Sequence, residues 1–123
     1  MNHNSAGTPI VALLGGQGIA WNYPVGQFVA AFGYPAASPF DGSKLMEASG
    51  IAQFAGFSYV SLVNSMTGGS SGGAWLMQYD GSWGLINGHN DFKPKPPGDQ
   101  TNMYSPHYGD QVATVFGAIQ FLP

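Results

Sequence analysis

The chain has 123 residues, 19 of them Gly and 9 Pro, with 3 Lys, 6 acids, no Arg and no Cys, for a net charge of −3. Charged residues make up only 7% of it, against roughly 25% in ordinary soluble domains; so few cations cannot neutralise a run of phosphates, which excludes nucleic acid and anionic membranes as partners. The absence of cysteine removes disulfides, thiolate zinc sites and thiol nucleophiles, while 44% hydrophobic residues suffice for one packed core at this length.

Residues 1–8 carry neither the basic start nor the apolar run of a signal peptide and are expected to be a disordered start; residues 9–123 are expected to form a single domain. An apolar run at 9–14, closed by Gly15-Gly16, predicts a short buried strand, and 18–21 and 27–32 predict two more, each bounded by Gly or Pro. Tyr34-Pro35 opens a turn that runs to Asp41-Gly42. Segments 44–52 and 57–63 alternate as strands do, and the stretch 68–73 is too glycine-rich for regular structure. Segments 74–79 and 82–87 flank Asp80-Gly81, which predicts a hairpin with a two-residue turn holding both residues at positive φ. The prolines of 93–99 predict a surface loop. Val112, Val115, Phe116 and Ile119 then mark one face of a helix over about 110–121, with Asp110 placed to cap it. About seven short strands and a terminal helix predict an all-β fold, a small antiparallel barrel. No apolar run approaches the ~20 residues of a membrane-spanning helix.

Thr67-Gly68-Gly69-Ser70-Ser71-Gly72-Gly73 is the segment in which chemistry is easiest to see. As a phosphate cradle it lacks the Lys-Ser/Thr that should follow the glycines, and as a linker it is abutted at both ends by apolar strands. As a nucleophile loop it has what attack on a carbonyl needs: a serine hydroxyl on a sharp turn and glycine N–H groups free to face an oxyanion. The G-x-S-x-G pattern of an α/β-hydrolase elbow also fits in form, but that elbow leads into a helix, whereas 74–87 reads as a hairpin. A general base must lie within hydrogen-bond reach of the serine. His3 lies in the start segment, His89 on a strand near the loop and His107 just before the helix, too scattered for metal-ligand spacing; no cofactor or metal is expected. Asp41, Asp80, Asp91, Asp99 and Asp110 stand beside Gly or in turns and caps, where a carboxylate bonds local backbone. Trp21, Trp75, Trp83, Phe32, Tyr34 and Phe40 are expected to pack in the core and turns.

Met66-Thr67-Gly68-Gly69-Ser70-Ser71-Gly72-Gly73-Ala74-Trp75 resembles the M-T-G-G-S-S-G-G-P-W stretch of secreted bacterial trypsin-like serine proteases of the chymotrypsin fold. Phe32-Gly33-Tyr34-Pro35-Ala36-Ala37-Ser38-Pro39-Phe40-Asp41-Gly42 is similar to the F-G-Y-P-A-A-x-P-x-D-G of the same group, and Asn87-Gly88-His89-Asn90-Asp91-Phe92 to its N-S-V-N-S-F strand. The resemblance runs over nearly the whole chain and over only the C-terminal half of such an enzyme, its second barrel. It implies Ser71 as the nucleophile position, with the N–H groups of Gly69 and Ser71 as the oxyanion hole. Ser65, Met66, Thr67 and Gly68 would line one wall of the primary pocket. Asn90, Asp91 and Phe92 would form the other and pair with the substrate backbone. Ser65 is neither acidic nor basic, so uncharged side chains are the expected preference. The resemblance also implies that the catalytic His and Asp belong to a first barrel these residues do not contain, so the chain alone is expected to be inactive or very weakly active. The expected partners are a polypeptide substrate or a complementary barrel, or a second copy of the chain through an apolar face. Ala74 stands where the group has Pro, Asp91 where it has Ser, and Ala48 and Asn64 where relatives often pair two cysteines.

Overall fold

The computed structural model describes residues 3–121. Eight strands and two helices follow in the order α1 (Ile10–Leu14), β1 (Gly18–Ile19), β2 (Phe28–Gly33), β3 (Met46–Ile51), β4 (Gln53–Phe54), β5 (Tyr59–Val63), β6 (Ala74–Met77), β7 (Leu85–His89), β8 (Asn102–Pro106) and α2 (Asp110–Ile119). Backbone ladders join them into one sheet of order β1-β7-β6-β2-β3 and another of order β4-β5-β8. The sheets meet at two seams. At one, β3 lies against β5, close enough that a Cβ on Gly50 would sit 3.3 Å from Leu62 Cδ1. At the other, β7 lies against β8, where His89 N donates to Ser105 Oγ at 3.0 Å. The longer strands thus succeed one another as β2, β3, β5, β8, β7, β6 and return to β2. This is the cyclic order of a six-stranded barrel, seamed by packing where the ladders stop. The pairing is antiparallel throughout except for the two-residue β1, which runs parallel to β7.

The interior is filled by Val29, Ala31, Val60, Leu62, Met66, Trp75, Met77 and Met103. The chain places small residues where strands crowd, as in the buried run Val29, Ala30 and Ala31 of β2, which is flanked on both sides by β3 and β6. Trp75 supplies the largest fully buried side chain.

Several expectations are corrected. The run expected as a buried strand at 9–14 is the helix α1, and none of its residues is buried. A short continuous apolar run fits either state by periodicity; here Pro9 starts the helix and Gly15, at φ 76, ends it by donating its N–H to Val11 O. Within residues 1–8, Asn4 Oδ1 accepts from the N–H groups of Ala6 and Thr8, and residues 1 and 2 lie outside the described residues. The β6–β7 hairpin is present, but its connection is seven residues long instead of a two-residue turn. Asp80 Oδ1 accepts from Ser82 N at 2.9 Å and Trp83 N at 2.8 Å, and these bonds hold its carboxyl below the usual range. That Asx turn consumes the residues a tight turn would have left to the strands. Asp110 is the first residue of α2, not its cap: Gly109 occupies the cap position with no side-chain bond, and Asp110 Oδ1 instead accepts from Asn22 Nδ2 at 2.7 Å. Tyr34 and Trp83, expected to pack, are 52% and 46% exposed.

Candidate active site

The glycine and serine loop connects β5 to β6 and is held by contacts that only its small residues permit. Gly69 has φ +99, and a Cβ there would lie 2.8 Å from Ala36 Cβ and 2.9 Å from Ala36 N. At Gly73 a Cβ would sit 1.8 Å from Phe32 O, so the loop's exit is pressed against the end of β2. The neighbouring turn is tied in by Ala36 N and Ala37 N, which both donate to Gly68 O, and by Thr67 Oγ1, which donates to Ala37 O at 2.6 Å.

The loop's two serines are separated by burial. Ser70 is buried; its hydroxyl donates to Thr67 O at 2.9 Å, and its carbonyl accepts from Asn90 Nδ2 at 3.1 Å. Ser71 is exposed and lines a cleft of about 500 Å³. Among the described residues its hydroxyl has no hydrogen-bond partner, and neither Gly69 N nor Ser71 N donates to any acceptor. Ser65, Met66, Thr67, Gly68, Asp91 and Phe92 line the same cleft, as does Ser70. The geometry therefore gathers eight of the nine expected site residues around one loop, with Gly69 in the loop itself.

Asn90 is the exception. It is 1% exposed and outside the cleft lining. Its main-chain N–H donates to Gly73 O and its carbonyl accepts from Gly72 N, both at 2.8 Å, which leaves no main-chain group for a substrate. Its side chain binds five protein groups, one of them Met66 Sδ, to which Nδ2 donates at 3.7 Å. Oδ1 accepts from Trp75 Nε1 at 2.8 Å and Asn64 Nδ2 at 3.5 Å, and Nδ2 donates to Phe32 O at 3.0 Å and to Ser70 O. Asn90 is a brace between the glycine and serine loop, β2 and the core tryptophan. Asn64, at a position where the resemblance has cysteine, also joins this network and accepts from Met66 N through Oδ1 at 2.8 Å.

Asp91 and Phe92 are backed by β8, a strand not expected from the sequence. Phe92 stacks on Tyr104 with centroids 5.2 Å apart and meets Tyr59 edge-on at 5.5 Å. Its main chain pairs with Tyr104, as does Asp91 N, so those N–H groups too are committed within the barrel. Beyond Phe92 the lining continues through Lys93, Pro94, Lys95 and Pro96. Burial pulls the Lys93 ammonium below the usual lysine range, and nearby Asp99 partly offsets this.

Neither described histidine with a ring partner faces this cleft. His89 Nδ1 lies 2.8 Å from Tyr108 Oη and borders a separate groove under α2 with Val112 and Phe116. His107 Nε2 lies 2.7 Å from Tyr23 O. Among the described residues no group of three His, Cys, Asp or Glu could hold a metal ion, and no helix is long and apolar enough to cross a membrane.

No protein-family model and no curated protein matches the chain. Solved structures do. Over 98% of its length the chain is similar to a thermostable serine protease, AL20, from an extremophilic microorganism, at 31% identity and a TM-score of 0.85, covering 56% of that protein. Over 96% of its length it is similar to the protease Anisep from Arthrobacter nicotinovorans, at 31% identity and a TM-score of 0.82, covering 54% of that protein. The chain spans about half the length of these two proteases.

Proposed function

We propose, from the premise that this chain has the architecture of one half of a bacterial chymotrypsin-fold serine protease, that it is the nucleophile-bearing C-terminal barrel of a serine endopeptidase. In this reading Ser71 is the nucleophile and the N–H groups of Gly69 and Ser71 are the oxyanion donors. The observation that carries it is the contrast between the two serines: Ser70 is buried and bonded, whereas Ser71 is exposed on the cleft with its hydroxyl and two neighbouring N–H groups unused. Fixed donors aimed at a developing oxyanion are among the largest contributors to acyl transfer. The substrate would be a polypeptide, and the resemblance carries an extracellular location with it.

A serine hydroxyl is a weak nucleophile at neutral pH unless a base takes its proton. With His89 and His107 engaged elsewhere, the base and the acid that orients it would come from a first barrel outside these residues. The 123 residues alone would then hydrolyse peptides weakly or not at all. A fluorophosphonate probe tests this on the isolated chain. Labelling is expected to be slow and no faster than for a Ser71→Ala control; rapid labelling that depends on Ser71 would contradict the inactivity.

A second reading, a self-associating module, is favoured by the two helices. No residue of α1 or α2 is buried, and Leu13, Leu14, Val115 and Ile119 are each more than half exposed. Apolar faces of this kind drive association. Light scattering is expected to give a dimer or larger species, and a monomer at high concentration would count against this reading.

A further inference from the structure

We infer that Lys93 is the specificity-determining residue of the Ser71 cleft, and that the cleft takes a peptide with a carboxylate side chain at the residue whose carbonyl meets Ser71. The inference rests on the serine protease reading of that site.

The chain has three cations, and two of them, Lys93 and Lys95, line this one cleft. Lys95 is exposed, but Lys93 is half-buried and its head is fixed. Lys93 Nζ donates to the main-chain oxygens of Asn64 and of Gln100, the latter at 2.8 Å. Asn64 immediately precedes Ser65, and both Ser65 and Gln100 line the cleft, so the ammonium is moored at the wall itself. An ammonium carries three N–H donors; two are used here, and among the described residues no carboxylate is hydrogen-bonded to it. The acid behind it, Asp99, is committed to Thr101 N, to both nitrogens of Asn102 and to Tyr104 Oη. Asp91, the acid in the lining, is exposed. A partly desolvated cation with a spare donor is most stable against an anion, and a bond between two charged groups is roughly twice as strong as a neutral one. Ser65 by itself predicts an uncharged preference; the structure adds residues 93–95 to the same cleft, which the sequence alone does not place there.

The test uses acetylated tripeptide amides that differ only in a final Glu, Gln or Lys, titrated into the full chain and its Ser71→Ala variant and followed by NMR. Binding needs no serine oxygen, so the titration reports on Lys93 even where no hydrolysis occurs, and a chain that never reacts at Ser71 leaves this result standing. The Glu peptide is expected to bind at least about tenfold more tightly than the Gln peptide, with the difference shrinking in high salt and disappearing in Lys93→Met. Lys95→Ser, at an exposed position, is expected to keep most of the difference. Equal or undetectable binding of the three peptides, or a difference that survives in folded Lys93→Met, would overturn the assignment. Should Lys93→Met fail to fold, the wild-type comparison and Lys95→Ser decide.

Discussion

Asn90→Ala is expected to destabilise the domain by about 3–5 kcal/mol, well beyond the cost of a typical substitution. The side chain is 1% exposed, so water cannot replace what is lost. Removing it strips Trp75 Nε1 of its acceptor at 2.8 Å and Phe32 O of a donor at 3.0 Å, and leaves Ser70 O with Gly73 N alone. Each buried polar group left unpaired costs about 1–3 kcal/mol, and the vacated volume adds a cavity term. Asn90→Asp is expected to be no better, because a carboxylate oxygen would face two carbonyl oxygens where the amide now donates. Urea denaturation measures both. A loss under about 1 kcal/mol would show that the brace is not what holds the loop. The effect should extend to reactivity, since Ser70 O lies beside Ser71 and its position depends on Asn90.

Much of the fold was legible because it rests on local chemistry. The Gly and Pro boundaries of β2, the alternation in β3 and the 3.6-residue period of α2 each lie within one window of sequence, whereas β5 forms where expected but buries three consecutive residues, Val60, Ser61 and Leu62, instead of alternating. The irregular loop at 68–73 was legible because its glycines lie between two apolar strands. What the sequence hid depended on contacts between distant residues. β8 went unseen because Asn102–Pro106 ends in proline and gains its strand character from pairing with β5. Asn90 read as a pocket wall because it sits next to Asp91 and Phe92, which line the cleft; its inward side chain is held by Trp75, Phe32 and Ser70, partners distant in sequence. The separation of Ser70 from Ser71 likewise needs the third dimension, although a bonded first serine and a free second one is what a turn closing on Thr67 O would give. Residues 9–14 could not be resolved by period, and the packing that would make them a strand does not exist around them.

Catalysis by Ser71 requires an external His and Asp to complete this site, and peptide hydrolysis in the presence of a first barrel measures that directly. Mixed with or fused to the His/Asp-bearing half of one of the two similar proteases, the chain is expected to gain hydrolysis by at least about 10³-fold, the range a positioned general base supplies. Ser71→Ala should then lower kcat by about 10⁶-fold, as loss of the nucleophile does in an assembled triad. Ser70→Ala should retain most of the restored rate and cost about 1 kcal/mol of stability through its lost bond to Thr67 O. Restoration that depends on Ser71 and not on Ser70 is the predicted result. Peptide hydrolysis by the chain alone at the restored rate, or a folded complex in which Ser71→Ala changes nothing, would contradict it.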